Sequence, residues 1–310
     1  MAFNDSLDFQ PSLEKLSKEK APFHVLLSGY LRMSRTFEMY AALSNSSSLD
    51  CKLVPFELSD RNSQNVEAKL SALISLLKQE SNFRSIMVSD PFKQKVQSFL
   101  DRISERALAC GAVNVLLKRG NIVEGDNFDG EAFFTSIVEQ EGLTFDRKKM
   151  VFFGCGGVSS AVSSRLTSVL EKIALVDLDS EKANVLREIL HRQNKLLKIE
   201  LLQSSGARDF REFDYLYNGT GLGKSDNNSP INSADLLSKD GVAFDANYTP
   251  ANTPFLKQLN GEGYRSVNGL SHMLTCTSMH LSAVTDAPVT YETVKKAYEQ
   301  IVVTSDSTTD

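Results

Sequence analysis

Short apolar runs alternate with segments of helical spacing along most of the chain. His24-Val-Leu-Leu-Ser-Gly29 predicts a buried strand, Ser34 to Leu43 a helix, and Lys52 to Glu57 a second strand. Val66, Leu70, Leu73, Ile74 and Leu77 fall on one face of a helix over 66–77. Ser85 to Ser89 predicts a third strand, after which Pro91 opens a helix, where its missing N–H does no harm. Ala112 to Leu117 and Asn121 to Glu124, joined by Lys118-Arg-Gly120, predict a hairpin. A helix over 131–141 leads to further strands at 150–153, 174–177, 214–218 and 242–245. Beyond Tyr264 the pattern is mostly helical to Val303. The first twenty residues predict a polar, loose or helical arm, and Thr304 to Asp310 a disordered tail. Strands alternating with helices predict an α/β fold with right-handed crossovers and mainly parallel sheets.

One segment carries chemistry. Met150-Val-Phe-Phe enters the turn Gly154-Cys-Gly-Gly157, and Ala161, Val162, Leu166, Val169 and Leu170 follow with helical spacing. A second apolar run then ends in Asp177-Leu178-Asp179. Strand, glycine turn, helix, strand and terminal acid is the order of a dinucleotide-binding unit. Gly154 can take the angles of a sharp strand-to-helix turn, and Gly156 has no side chain to hold a pyrophosphate off the backbone. The following helix offers unpaired N–H groups to the phosphates. Asp177 can accept hydrogen bonds from both ribose hydroxyls of NAD. A 2′-phosphate needs a cation, and two carboxylates without an arginine would repel it. The expected coenzyme is therefore NAD, ahead of NADP, with Lys182 the nearest cation that could reverse the order.

Composition narrows the class. The 310 residues suffice for two ordinary domains, and the net charge of −5 argues against nucleic acid or an anionic membrane as partner. No apolar run reaches spanning length, and the start lacks a basic-then-apolar signal, so a cytoplasmic protein is expected. The four cysteines (Cys51, Cys110, Cys155, Cys276) and four histidines (His24, His191, His272, His280) form no metal motif, and none is expected to bind metal.

In their order, the motifs resemble those of the shikimate/quinate dehydrogenase family. They are Val88-Ser-Asp-Pro-Phe-Lys93, Gly111-Ala-Val-Asn114, Gly125-Asp-Asn-Phe-Asp-Gly130, Gly154-Cys-Gly-Gly157, Asn218-Gly-Thr-Gly-Leu-Gly223, Asp245-Ala-Asn-Tyr-Thr-Pro-Ala-Asn-Thr-Pro254, and Asn268-Gly-Leu with Met273-Leu274. The resemblance implies two domains. An α/β substrate domain would comprise 1–130 and 265–310, the C-terminal helices returning to it, and a Rossmann-like NAD(P)-binding domain would comprise 131–264. It also implies reversible hydride transfer to a small cyclic hydroxy or keto acid in aromatic amino acid biosynthesis, and leaves a homodimer open.

By the same resemblance, Lys93 and Asp129 are the catalytic pair. Lys93, in the first turn of a helix opened by Pro91, would sit at the positive end of the dipole, which lowers an amine's pKa toward proton transfer. On residue type alone, a solvated lysine and a turn aspartate in Asp-Gly are the alternative. Ser34 and Thr36 map to the hydroxyls that hold the substrate carboxylate, and Ser89, Asn114 and Tyr248 to further substrate contacts. Gly154, Gly156, Gly157, Val158, Asp177 and Leu178 map to the coenzyme's adenosine and phosphate side, and Asn218, Thr220, Gly223 and Gly269 to its nicotinamide side.

The chain departs from the family at several substrate positions. Ser34-Arg35-Thr36-Phe37 replaces Ser-x-Ser-Pro, Phe128 replaces a threonine, Thr277 stands where a glutamine is usual, and Asp90 replaces an apolar residue. A site built for hydroxyls loses affinity when such partners disappear. Quinate, an amino analogue or another small acid therefore stays open as substrate, as does a non-catalytic binding protein that kept the fold.

Overall fold

The computed structural model describes residues 3–29, 31, 36–46, 52–58, 65–203, 209–231, 237–285 and 288–306. In chain order its elements are β1 (Phe3–Asn4), α1 (Asp5–Ser17), β2 (Phe23–Ser28), α2 (Thr36–Ser46), β3 (Lys52–Glu57), α3 (Val66–Gln79), β4 (Phe83–Val88), β5 (Arg102–Ile103), α4 (Glu105–Cys110), β6 (Val115–Arg119) and β7 (Ile122–Asp126). There follow α5 (Asp129–Thr135), β8 (Lys149–Phe153), α6 (Gly157–Leu166), β9 (Lys172–Val176), α7 (Ser180–Gln193), β10 (Lys198–Leu202), β11 (Tyr215–Asn218), β12 (Val242–Asp245), α8 (Pro254–Gly261), β13 (Arg265–Val267), α9 (Leu270–Val284) and α10 (Tyr291–Asp306). The fold is mixed α/β, with two sheets.

The chain forms two compact units. The first comprises 1–108, 112–128 and 277–310, the second 109–111 and 129–276. The divisions thus fall at 128/129 and 276/277, whereas the sequence expectation placed them at 130/131 and 264/265. Residues 265–276 pack within the second unit because β13 hydrogen-bonds alongside β12.

The first unit holds the sheet β1-β3-β2-β4-β6-β7-β5. β2, β3 and β4 are parallel, and β6 is antiparallel to both β4 and β7. The expected hairpin is β6–β7, with Arg119 opposite Ile122 across the turn. All six residues of β2 are buried, as a parallel strand covered on both faces must be. α3 buries Val66, Leu70, Leu73, Ile74 and Leu77, the stripe its spacing predicts. Each such side chain contributes about 1.5–3 kcal/mol when fully buried.

The expected helix at Pro91 does not form. Residues 90–94 are turns, the Asp90–Pro91 peptide is cis, and a short 3₁₀ helix follows only at Lys95–Phe99. Phe92 is completely buried in the first unit's core, so tertiary burial of that ring outweighs local helix propensity. The first-turn dipole argument for Lys93 therefore does not hold. The polar arm is α1, which the sequence left as loose or helical, and the strands β1, β5, β10 and β13 were not legible as strands. Residues 304–306 of the expected tail continue α10, and the remainder lies outside the described residues.

The second unit is a wholly parallel six-stranded sheet ordered β10-β9-β8-β11-β12-β13. From β8 the chain runs outward one way through β9 and β10, then returns beside β8 and runs the other way through β11, β12 and β13. The order reverses between β8 and β11. In an open α/β sheet, ligands bind at the carboxyl ends of the strands at that reversal.

Candidate active site

The glycine turn lies at the carboxyl end of β8, beside the end of β11. Gly154 has φ +83°, and a Cβ there would come within 3.0 Å of Thr220. Both the turn angle and the close passage of the β11 loop exclude a side chain. Gly156 is the N-cap of α6, and a Cβ there would meet nothing within 4 Å among the described residues. Asp177 follows β9. Its Oδ2 accepts the Cys155 N–H at 2.7 Å and its Oδ1 the Asp179 N–H at 2.9 Å. Burial pushes the Cys155 thiol up to about 12, and the Asp177 charge adds to the effect, so this cysteine stays a neutral thiol. Leu178 is 90% exposed. Asp179 caps α7 by accepting the Glu181 and Lys182 N–H groups, and Lys182 Nζ lies 4.0 Å from its carboxylate.

Asn218 ends β11 with a fully buried side chain whose atoms are spent within the loop. Its Oδ1 accepts the N–H and hydroxyl of Thr220 at 3.1 and 2.6 Å, and its amide donates to Leu222 O and Asp245 Oδ2. Asn218 thus shapes the turn that carries Thr220 and Gly223 rather than presenting its own side chain. Asp245, which residue type alone did not single out, closes the same network. It accepts from Thr253 Oγ1 at 2.6 Å, the Asn247 N–H at 2.8 Å and Asn218. Burial raises its pKa, and these hydrogen bonds only partly offset the rise.

Asp129 is the first residue of α5 and is 6% exposed. His272 Nε2 lies 2.9 Å from its carbonyl, and Cys276 Sγ lies 3.8 Å from its Oδ1. The Tyr217 hydroxyl is buried without a hydrogen-bond partner among the described residues. Burial, then the charges of Asp129 and Asp245, drive its pKa well up, so it stays neutral. Cys276 and Tyr217 were missed as site residues because only helix phase and strand register bring them here.

In the first unit, Ser89, Lys93 and Asn114 gather where β2 and β4 end and β6 begins. Gly29 N–H donates to Asp90 O, Ser89 N–H to Leu27 O, Val88 N–H to Asn114 O, and Val113 N–H to Lys93 O. These bonds tie Ser89, Lys93 and Asn114 into one laced turn. Asn114 Oδ1 accepts the Phe128 N–H at 2.9 Å. Phe128 is buried, with the Arg106 guanidinium 4.7 Å above its ring. Arg106 in turn grips Asp126 through two bonds of 2.6 Å. Burial pushes the Asp126 carboxyl up, but the Arg106 and Ser104 hydrogen bonds and the Arg106 charge more than offset this and hold it below its ordinary range. Thr36 is buried near the start of α2, and Thr277 is 2% exposed, while the α9 side chain beside Asp129 is its neighbour Cys276. Tyr248 is half-buried after β12. Ser34 and Arg35 lie outside the described residues. Among the described residues, no group of histidine, cysteine or acidic side chains could hold a metal ion, and no helix is long and apolar enough to cross a membrane.

A parallel sheet with a glycine turn at its reversal point and an acid closing the next strand is the arrangement of a dinucleotide-binding α/β unit. The family model for the shikimate dehydrogenase substrate-binding domain matches residues 26–116. The NADP(+) shikimate dehydrogenase of Streptococcus gordonii is 30% identical over 217 residues, covering 68% of this chain and 75% of that protein. A solved shikimate dehydrogenase in complex with NADP+ superposes with a TM-score of 0.78 at 24% identity, covering 90% of this chain and 94% of the other. The shikimate 5-dehydrogenase of Listeria monocytogenes, solved with shikimate and NAD, superposes at 0.76 with 21% identity, over 89% and 96%. This chain belongs to the shikimate dehydrogenase family and is an oxidoreductase.

Proposed function

We propose that the chain catalyses reversible hydride transfer between a nicotinamide dinucleotide and shikimate or a close cyclic hydroxy acid, as one step of aromatic amino acid biosynthesis. The observation that carries this reading is the glycine turn at the sheet's reversal point, buttressed by Asp177, in a chain 30% identical to a shikimate dehydrogenase.

Gly154, Gly156, Gly157 and Val158 would hold the pyrophosphate at the start of α6, and Asp177 and Leu178 the adenosine ribose. Thr220, Gly223 and Gly269 would line the nicotinamide, on a loop that Asn218 holds in shape. Bound there, the coenzyme supplies or accepts the hydride. Lys93 exchanges the proton of the reacting hydroxyl, and Asp129 hydrogen-bonds that hydroxyl or its neighbour. Asn114, Ser89 and Tyr248 contact the substrate ring, Ser34 and Thr36 its carboxylate, and Phe128 and Thr277 tune which ring fits.

The coenzyme we infer is NAD ahead of NADP, although the relatives' name specifies NADP(+). A 2′-phosphate bound beyond β9 would meet the carboxylates of Asp177 and Asp179, and Lys182 is already paired with Asp179. A nicotinamide absorbance assay over shikimate, quinate and their amino analogues, each with NAD and NADP, tests the whole reading. Turnover of shikimate with a higher kcat/KM for NAD is expected. Tight coenzyme binding without turnover of any of these acids would overturn it.

A further inference from the structure

Within the second unit, α5 and the part of α9 up to Cys276 meet through residues spaced four apart. On α5 these are Asp129 and Phe133, and on α9 they are His272 and Cys276. Residues four apart lie on one face of a helix, so each pair is a single contact strip. His272 Nε2 is 2.9 Å from the Asp129 carbonyl, and its ring stands edge-on to Phe133 with centroids 5.7 Å apart. One turn on, Cys276 Sγ faces Asp129 Oδ1 at 3.8 Å. Backbone and side chain of Asp129 are thus gripped from the same face of α9.

The start of α9 is itself tied to the coenzyme side. Gly269 N–H donates to Asn247 O at 2.9 Å, and a Cβ on Gly269 would lie 2.3 Å from Ala246 O. The close approach requires glycine and sets α9 against the end of β12. From there one turn of helix leads to His272.

We propose that His272 is a positioning residue for Asp129, fixing its carboxylate with respect to the nicotinamide-lining segment. The inference rests on the catalytic role proposed above for Asp129. A carbonyl oxygen can only accept, so Nε2 carries the proton, and His272 acts as a donor rather than a base. It is 8% exposed, so water does not readily replace the bond it makes. A histidine that only filled space would be served as well by phenylalanine. A histidine that holds Asp129 in place would not, because a displacement of about 1 Å at a catalytic group can cost on the order of 10²-fold in rate.

The test compares His272→Phe, His272→Gln and Asp129→Asn in the full-length protein. His272→Phe is expected to lower kcat by about 10- to 100-fold while leaving the coenzyme Kd and the melting temperature near wild type. His272→Gln, whose amide nitrogen reaches the position of Nε2, is expected to restore most of the rate. In parallel, imidazole ¹⁵N shifts of the wild-type protein should show His272 with its proton on Nε2. Wild-type kcat in His272→Phe, together with an inactive Asp129→Asn, would overturn the inference and leave the function intact. Imidazole shifts that place the proton on Nδ1 alone would overturn it whether or not the variants fold. An active Asp129→Asn would instead overturn the role given to Asp129.

Discussion

Asp177 receives the Cys155 N–H at 2.7 Å, so the acid that ends β9 also holds the glycine turn that follows β8. One carboxylate thereby serves two purposes on the coenzyme placement proposed above: it stiffens the turn at the start of α6 and it presents a negative charge toward the ribose.

Replacing Asp177 should therefore act on coenzyme choice before chemistry. Asp177→Ser removes the charge that opposes a 2′-phosphate. Its kcat/KM ratio for NADP over NAD is expected to rise by about 10-fold or more, with KM for NAD rising. Steady-state kinetics with both coenzymes check this, and an unchanged ratio would mean that Asp177 does not face the ribose.

Gly154 combines φ +83° with a Cβ approach of 3.0 Å to Thr220. Gly154→Ala should cost on the order of 1–3 kcal/mol of stability and weaken coenzyme binding, because either the turn or the β11 loop must move. Urea denaturation and fluorescence titration with reduced coenzyme measure the two effects. A variant as stable as wild type would show that the turn tolerates a side chain.

Lys93 keeps its backbone place through the Val113 N–H to Lys93 O bond of 2.8 Å. Lys93→Ala therefore removes the amine without releasing the turn. Turnover should fall by about 10²- to 10⁴-fold, the range for loss of a general acid or base, with coenzyme affinity nearly unchanged. Comparable turnover would remove Lys93 from the chemistry.

A buried polar chain in the first unit makes its stability depend on pH. His24 Nδ1 bonds Ser85 Oγ at 2.8 Å, Ser85 Oγ bonds His280 Nε2 at 3.0 Å, and His280 Nδ1 bonds Tyr40 Oη at 2.5 Å. Burial, then the charge of Arg84, lowers the His24 pKa to about 4, and burial, then His24, drives that of His280 well down. The unfolded chain binds these protons near pH 6.5 and the folded chain does not. Stability is therefore full above about pH 6.5 and is lost as the pH falls toward 4, by on the order of 3 kcal/mol for His24 alone. Unfolding free energies between pH 7 and 4 should show this slope, and His24→Gln should flatten it. An equal slope in wild type and variant would assign the acid sensitivity elsewhere.

Local pattern was sufficient where a residue's role depends on its neighbours in sequence. The β8–glycine turn–α6–β9–Asp177 order, the apolar stripe of α3 and the β6–β7 hairpin all follow from periodicity and turn residues. Pro91 shows the limit: it carries a helix-start signal, but burying Phe92 took precedence. Cys276 shows another: no motif singles it out, and only the phase of α9 turns it toward Asp129.

By itself, the sequence determined the fold class, the strand–glycine turn–helix–strand order and the apolar stripe of α3, because each is a short-range pattern of burial period and backbone freedom. Only the tertiary structure decided that Asn218 and Asp245 brace a loop, that His272 and Cys276 grip Asp129, and that His24 meets His280. His24 and His280 meet through Ser85, which lies 61 and 195 residues from them along the chain, and helix phase and strand register, not local spacing, bring such residues together.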